Sequence, residues 1–266
     1  MGKFSTYLSL LKFSLLNPKQ GIKLYNELKE TKFNDNQKLK NFDVIPKTAN
    51  ELFLSLFDKP FSESNESLIH LENHLKLFFN SKKLLDYPSK NKPYPIDYSI
   101  LGESGPFLYQ LCKLIKPEIV VETGVAYGVS TSYILQALHE NNKGKLISVD
   151  SIFRPWQSKN MIGSAIPTSL KSRWELYIGS SNEELNKIFQ KCSEIDIFLH
   201  DSLHTYQNML FEFTTSWPQI KPGGYLLSDD ILGNNAFHNF SEKVKKKPFL
   251  LYQKFEPVSL MGIILK

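Results

Sequence analysis

The sequence has few cysteines and no long apolar run, and each absence excludes a class of protein. Only two of its 266 residues are cysteines, Cys112 and Cys192, and neither belongs to a Cys-x-x-Cys motif or a Cys/His cluster. A disulfide framework is therefore excluded, and we predict that both are reduced core residues. The apolar stretch at residues 7–16 contains Lys12 and is half as long as a membrane span, which needs about 20 apolar residues. We expect no membrane span and a cytoplasmic protein.

The chain also lacks a strong excess of charge of one sign. Lys and Arg number 32 against 27 Asp and Glu, which gives a net charge of +5. The excess lies mainly in short lysine runs such as residues 243–247, and such runs are typical of solvated helix ends rather than of a phosphate-binding track. We therefore predict no nucleic-acid partner. A hydrophobic fraction of 41% and a charged fraction of 22% are typical of a globular domain.

Residues 1–95 and residues 96–266 differ in their sequence pattern. In the first part, residues 19–31 and 67–79 have apolar side chains three and four positions apart, which predicts helices. Joints rich in lysine and asparagine follow these helices, and no motif of catalytic chemistry accompanies them. We predict a helical N-terminal extension that acts as a cap or lid on a domain formed by residues 96–266.

From residue 115 onward, short apolar segments alternate with helical ones. The predicted strands are residues 118–122, 145–150, 174–178, 195–200, 224–228, 250–255 and 258–265. Apolar strands that alternate with helices are typical of a parallel sheet covered on both faces. Only Glu256 and Pro257 separate the last two strands, and a parallel crossover needs about a dozen residues, so these strands must be antiparallel. The sequence therefore predicts an α/β fold with a Rossmann-like, doubly wound, mostly parallel seven-stranded sheet that an antiparallel C-terminal hairpin closes.

The turn after the first predicted strand has the features of a cofactor-binding loop. It reads ETGVAYGVST, and doubly wound sheets bind ligands at the carboxyl ends of their strands. Gly124 and Gly128 let the backbone turn sharply and approach a ligand, and Ser130 and Thr131 can contact a group at the start of the next helix. Asp150 ends the second strand, where an acidic side chain can accept hydrogen bonds from ribose hydroxyls. This pattern predicts a nucleoside cofactor.

The same loop distinguishes between two nucleoside cofactors. The dinucleotide fingerprint G-x-G-x-x-G, started at Gly124, would need glycine in place of Ala126 and glycine or alanine in place of Val129. Glu122 would repel a pyrophosphate but suits a cationic amino or sulfonium group. We therefore predict S-adenosylmethionine rather than NAD.

Two later strand ends carry acidic and imidazole side chains. The fourth strand ends at His200 and is followed by Asp201, and the fifth is followed by Asp229 and Asp230. Because neighbouring parallel strands end at the same edge of a sheet, the three carboxylates should converge beside the cofactor, where their charges require a cation. All-oxygen ligands indicate Mg²⁺, with Mn²⁺ or Ca²⁺ as alternatives. His204 can take the proton of a substrate hydroxyl, because imidazole titrates near neutral pH.

These residues lie in sequence runs that resemble a known family. The runs VVETGVAYGVSTSYILQAL, GKLISVD, RWELYIGSS, IDIFLHDSLHTYQNMLFEF and KPGGYLLSDDI are similar to class I S-adenosylmethionine-dependent methyltransferases, and among these to the bacterial branch of macrocin and macrolide-sugar O-methyltransferases. The resemblance implies that Asp201, Asp229 and Asp230 bind Mg²⁺ and that His204 is the base. The turn ETGVAYG departs from the commoner three-glycine form. Together with the residues that the resemblance adds, the predicted cofactor-binding set is Glu122, Thr123, Gly124, Tyr127, Gly128, Ser130, Thr131, Asp150, Ser180 and His200.

The predicted function is Mg²⁺-assisted O-methylation of a sugar, a glycan or a glycosylated small molecule by in-line SN2 transfer, with Asp201 and His204 as the catalytic residues. Two alternatives stay open. One is an NAD(P)-dependent oxidoreductase or epimerase, which the broken dinucleotide fingerprint and the lack of a Tyr-x-x-x-Lys pair disfavour. The other is a non-catalytic binding module on the same fold. The sequence leaves a homo-oligomer open.

Overall fold

The computed structural model describes residues 2–35, 38–61, 65–84, 102–151, 159–192 and 194–266. The boundary predicted near residue 95 lies outside these residues. The helices are α1 Gly2–Leu16, α2 Pro18–Asp35, α3 Ala49–Phe57, α4 Glu66–Leu84, α5 Ser104–Ile115, α6 Val129–Glu140, α7 Ser181–Lys191, α8 Tyr206–Ser216 and α9 Ala236–Lys243. The strands are β1 Ile119–Thr123, β2 Lys145–Asp150, β3 Trp174–Ile178, β4 Ile195–His200, β5 Ile220–Ser228, β6 Phe249–Phe255 and β7 Val258–Leu265.

The strands form one seven-stranded sheet in the order β3-β2-β1-β4-β5-β7-β6. Strands β1 to β5 are parallel, and β7 is antiparallel to both of its neighbours. The predicted Rossmann-like sheet with a closing hairpin is therefore confirmed. Thr123 pairs with His200, and His200 pairs with Ser228, so β1, β4 and β5 end side by side at one edge.

The two faces of the sheet bury separate hydrophobic clusters, because successive side chains of a strand point to opposite faces. Val120 and Ile197 pack with helices α3 to α6 on one face. Val121 and Phe198 pack with helices α7 to α9 on the other. Both faces are thus covered, which explains why the strands are apolar along most of their length.

Helices α3 and α4 belong to the same core as the sheet. Leu52, Phe53, Leu71 and Leu75 are buried in the cluster that also contains residues of α5, α6 and β1. A capping box begins α3, in which Thr48 and Glu51 exchange hydrogen bonds, and this arrangement satisfies backbone N–H groups that the helix leaves unpaired. The helices predicted at residues 19–31 and 67–79 are present as α2 and α4, and α4 together with the unpredicted α3 packs directly on the sheet.

Three strands differ in their bounds from the prediction, and of these β6 begins only one residue earlier, at Phe249. Strand β1 is shifted by one residue, to Ile119–Thr123. Strand β5 begins at Ile220 rather than at Gly224. Ile220 already pairs with Ile195, and a register irregularity separates this pair from the next one, between Ile197 and Tyr225. Pro222, Gly223 and Gly224 therefore lie inside β5, between the Ile195–Ile220 pair and the Ile197–Tyr225 pair. Among the residues that the structure describes, no helix is both long and apolar enough to span a membrane.

Candidate functional site

The loop between β1 and α6 lies against the turn that follows β4. Gly124 donates its backbone N–H to the carbonyl of Val149 on β2 and has a φ of 84°. A Cβ atom at Gly124 would overlap the carbonyl oxygen of Asp201. The predicted need for glycine is thus explained by a positive φ and by the close approach of the two turns.

Asp150 holds this loop from the carboxyl end of β2. Its Oδ2 accepts hydrogen bonds from the backbone N–H groups of Val125 at 3.0 Å and Ala126 at 2.8 Å. Its Oδ1 accepts a third from Ser151 at 2.6 Å. Burial raises the pKa of Asp150. Asp150 therefore lies directly at the predicted cofactor loop, and its role toward a ribose stays a prediction.

Glu122 is fully buried and contacts hydroxyl groups of the protein. Its carboxylate accepts hydrogen bonds from Ser130 at 2.5 Å, Thr131 at 2.8 Å and Ser148 at 2.9 Å. Burial raises the pKa of Glu122 to about 7, although the three hydroxyl donors act in the opposite direction. Ser130 and Thr131 thus both donate to Glu122, a contact that the sequence pattern did not indicate.

Three further predicted cofactor residues have structural contacts of their own. Tyr127 is buried and packs against the rings of Phe78 and Phe79 on α4. Gly128 is the residue that precedes α6. Ser180 begins α7 in a capping box with Glu183. The structure therefore places Tyr127 in the hydrophobic core, at the contact between the loop and α4.

Glu212 on α8 places a buried carboxylate beneath the loop that the motifs of the sequence did not predict. It accepts hydrogen bonds from Thr123 Oγ1 at 2.5 Å, His200 Nδ1 at 2.6 Å, Ser202 Oγ at 2.7 Å and Asn208 Nδ2 at 3.0 Å. Burial alone would raise the pKa of Glu212, but His200 and the other donors outweigh it and lower this pKa to about 2. An ionised Glu212 thus links the ends of β1 and β4 to α8.

A sequence signal for Glu212 did exist. Met209, Phe213 and Ser216 are the other buried residues of α8, and their spacing of three and four positions places Glu212 on the same face. A single glutamate on an otherwise buried helix face has to find hydrogen-bond donors inside the protein. Its presence therefore indicates a buried polar network at this point of the chain.

The strand ends of β4 and β5 bring together Asp201, His204 and Asp229. One ligand atom from each lies within 4.8 Å of the other two. Asp201 donates its backbone N–H to Thr123, and Asp229 donates its own to His200, so the sheet hydrogen bonding continues one residue beyond the strands. Gln253 on β6 donates a hydrogen bond to the Asp229 carboxylate. The sheet register therefore fixes the positions of both aspartates.

The protonation of this group follows from its burial. Burial raises the pKa of Asp201 well above its usual range, and Asp229, which shares a hydrogen bond with it, raises it further. Burial also raises the pKa of Asp229 to about 6. For His204, burial and then the proximity of His200 lower the pKa to about 4, so its imidazole is neutral at pH 7. Two neighbouring carboxyls and a neutral imidazole are a donor set that fits a divalent cation.

Asp230, the third predicted carboxylate, is arranged differently. It is exposed, its φ is 45°, and its Oδ1 accepts a hydrogen bond from Ser259 at 2.9 Å. It does not belong to the group of Asp201, His204 and Asp229 among the described residues. Asp201 and Asp229 thus lie together with His204, and Asp230 is close enough for its charge to act on all three, so its role toward a metal stays a prediction.

Comparisons with known proteins concern the same region. Residues 121–231 match the family model of a methyltransferase domain, and no curated protein matches the sequence. An O-methyltransferase from Bacillus cereus in complex with S-adenosylhomocysteine has a TM-score of 0.53 at 15% identity, over 82% of this chain and 98% of that one.

Two further solved structures are similar. TomG from Streptomyces achromogenes, an O-methyltransferase involved in tomaymycin synthesis and solved with S-adenosylmethionine, has a TM-score of 0.54 at 15% identity, over 81% of this chain and 94% of that one. The methyltransferase PaMTH1 from Podospora anserina, solved with S-adenosylhomocysteine, has a TM-score of 0.51 at 13% identity, over 85% and 99%. At these identities the likeness concerns the fold.

Proposed function

We propose that this chain, of which residues 121–231 match a methyltransferase domain, transfers the methyl group of S-adenosylmethionine to a hydroxyl oxygen of a small acceptor. One observation carries the proposal. The loop held by Asp150 and the group of Asp201, His204 and Asp229 lie at neighbouring strand ends on one edge of the sheet. A donor bound at the loop and an acceptor oxygen bound at the group would therefore lie next to each other, as transfer by proximity requires.

On the donor side, the residues that would hold S-adenosylmethionine are those of the β1–α6 loop together with Asp150. The Asp150 carboxylate already accepts hydrogen bonds from Val125 and Ala126, so it fixes the loop and keeps a charged oxygen at the position suited to ribose hydroxyls. The sulfonium of the donor supplies the reactivity of the methyl group. The protein's contribution on this side is thus binding and orientation.

On the acceptor side, Asp201 and Asp229 would hold a divalent cation, which lowers the pKa of a bound hydroxyl when it is present. Asp201 and Asp229 are fixed by backbone hydrogen bonds to Thr123 and His200, so the site is preorganised. The hydroxyl must lose its proton, and the described groups that can receive it are His204 and the two carboxylates. We propose a sugar, a glycan or a glycosylated small molecule as the acceptor, on the basis of the family resemblance and of TomG, which acts in natural-product synthesis.

Isothermal titration of the purified protein with S-adenosylhomocysteine and, separately, with NAD tests the cofactor. Each titration is carried out with and without Mg²⁺. We expect S-adenosylhomocysteine to bind and NAD not to bind. Binding of NAD, or of neither compound, would overturn the proposal and favour the oxidoreductase or the binding-module alternative.

The transfer itself is tested with S-adenosylmethionine that carries a labelled methyl group and a panel of sugars and glycosides. Asp201→Asn should retain binding of S-adenosylhomocysteine but lose most of the transfer to any acceptor that the wild type methylates. Asp58→Asn, which alters an exposed carboxylate after α3, is the matched control and should behave as the wild type. Equal transfer by both variants would contradict the assignment of Asp201.

A further inference from the structure

We propose that helices α1 and α2 form a docking surface by which the protein lies on an anionic lipid membrane. Both helices precede the matched region, residues 121–231, and the proposed function gives them no role. The docking surface consists of large apolar side chains that are exposed to solvent, namely Leu8, Leu11, Leu15 and Leu16 of α1 and Ile22 and Tyr25 of α2.

The leucines of α1 lie side by side on one face of the helix. Leu8, Leu11 and Leu15 are three and four positions apart, which places them on the same side, and Leu15 is 74% exposed. A different side of α1 packs on α2, where Ser14 lies so close to Gly21 that a Cβ atom at Gly21 would overlap it. Single exposed leucines are ordinary, but a group of them on one face marks an interaction site.

The charge of these helices identifies what binds there. Residues 1–26 contain four lysines and no aspartate or glutamate. Lys12 is exposed and lies one helical turn from Leu8 and from Leu16, so positive charge and apolar side chains share one surface. Helices that lie in a membrane interface have this composition, because leucines enter the boundary of the acyl chains while lysines contact anionic headgroups. Charge complementarity therefore favours an anionic lipid surface.

The acidic side chains of α2 do not weaken this complementarity. Glu27 and Glu30 are half-buried, and the Glu30 carboxylate accepts a hydrogen bond from the hydroxyl of Thr205, the residue that follows His204. The contact uses the negative charge of Glu30 inside the protein. It also ties α2 to the loop that carries His204, so the docking surface is joined to the site region.

A second copy of this chain fits the docking surface less well. In a two-fold contact between copies the same surface meets itself. Lys12 of one copy would then approach the lysines of the other, across a surface with no acidic residue in positions 1–26 to pair with them. Like charges brought together in this way oppose association, whereas an anionic membrane is attracted by the same lysines.

Sedimentation of the full-length protein with lipid vesicles tests the proposal. Vesicles of equal parts phosphatidylglycerol and phosphatidylcholine are compared with vesicles of phosphatidylcholine alone, each at low and at high salt. We expect about tenfold tighter binding to the anionic vesicles, and weaker binding at high salt because salt screens exposed charges. Leu15→Asp should reduce binding to the anionic vesicles by about tenfold. Equal binding to both kinds of vesicle, or binding to neither, would overturn the proposal.

Two matched variants show whether binding occurs at α1 and α2. Leu77 on α4 is 69% exposed but lies outside the docking surface, so Leu77→Asp should bind vesicles as the wild type does. Lys246→Glu changes the net charge as much as Lys12→Glu, but in a different basic run, and only Lys12→Glu should weaken binding markedly. If the two members of either pair have equal effects, docking at α1 and α2 is wrong.

Two measurements on the wild type complete the test without any substitution at the docking surface. Hydrogen exchange should slow at the amides of α1 and α2 when anionic vesicles are added, and exchange in α4 should not change. Analytical ultracentrifugation without lipid measures the oligomeric state. A dimer that Leu15→Asp dissociates, together with unchanged exchange of α1 and α2 on vesicles, would show that the surface joins two copies and would refute the proposal.

Discussion

The carboxylate of Glu212 accepts a hydrogen bond from Nδ1 of His200 at 2.6 Å, and neither side chain is exposed to solvent. The two residues belong to different elements, α8 and the end of β4, and Thr123 at the end of β1 donates to the same carboxylate at 2.5 Å. Because buried charges are costly unless they are fully hydrogen-bonded, this contact fixes the strand ends that precede Gly124 and Asp201.

Glu212→Gln should destabilise the protein strongly. The amide nitrogen would face groups that donate to the present carboxylate, so we expect a loss of about 2–4 kcal/mol in the free energy of unfolding. Chemical denaturation measures this loss, and the nitrogen NMR shifts of His200 should report a changed tautomer. Glu242→Gln is the control, because Glu242 also lies next to a histidine, His238, but its own side chain is 61% exposed, so the substitution should change stability little. Equal effects of the two variants would contradict the role of Glu212.

Gly124→Ala should be far more harmful than Gly223→Ala. Both glycines have a positive φ, of 84° and 79°, so alanine is strained at either position. Only at Gly124 would the added Cβ overlap the backbone of Asp201, because no atom lies within 4 Å of the corresponding position at Gly223. We expect Gly124→Ala to lose at least about 2 kcal/mol more in the free energy of unfolding. Equal losses in denaturation experiments would show that the close approach of the two turns is unimportant.

Glu122 should make stability depend on pH. Its pKa is raised from 4.5 to about 7 by burial in the folded protein, so between these values the unfolded chain ionises first. The contribution of Glu122 to stability therefore falls as the pH rises from about 4.5 to 7, by about 3 kcal/mol in total. Glu122→Gln removes this titration. We expect the difference in the free energy of unfolding, Glu122→Gln minus wild type, to rise by this amount over the same pH range. A difference that stays constant would contradict the raised pKa of Glu122.

Asp150→Asn should weaken the binding of S-adenosylhomocysteine without unfolding the protein. An amide retains one acceptor oxygen for the loop N–H groups of Val125 and Ala126, but it loses the charge that favours ribose hydroxyls. Loss of a hydrogen bond to a charged group corresponds to about a tenfold rise in Kd. Isothermal titration measures the rise. An unchanged Kd, with Asp58→Asn as the reference variant, would leave Asp150 a structural role only.

Much of the fold follows from the sequence because local patterns determine it. Short apolar runs that alternate with helical periodicity predicted the strands, and β2, β3, β4 and β7 have the predicted bounds. The two-residue separation before β7 required an antiparallel pair, as observed. Rules of this kind depend on the number of residues that connect two strands and on the direction of their hydrogen bonds, so they do not need tertiary contacts.

The sequence by itself also determined that Asp201 and Asp229 lie together, because parallel strands end at a common edge. Only the tertiary structure decided which neighbours join them. Asp230 binds Ser259 on β7, Tyr127 packs on α4, and Glu212 reaches the strand ends from α8. Each of these contacts depends on how helices and strands far apart in the chain pack face to face, and no local periodicity encodes that packing.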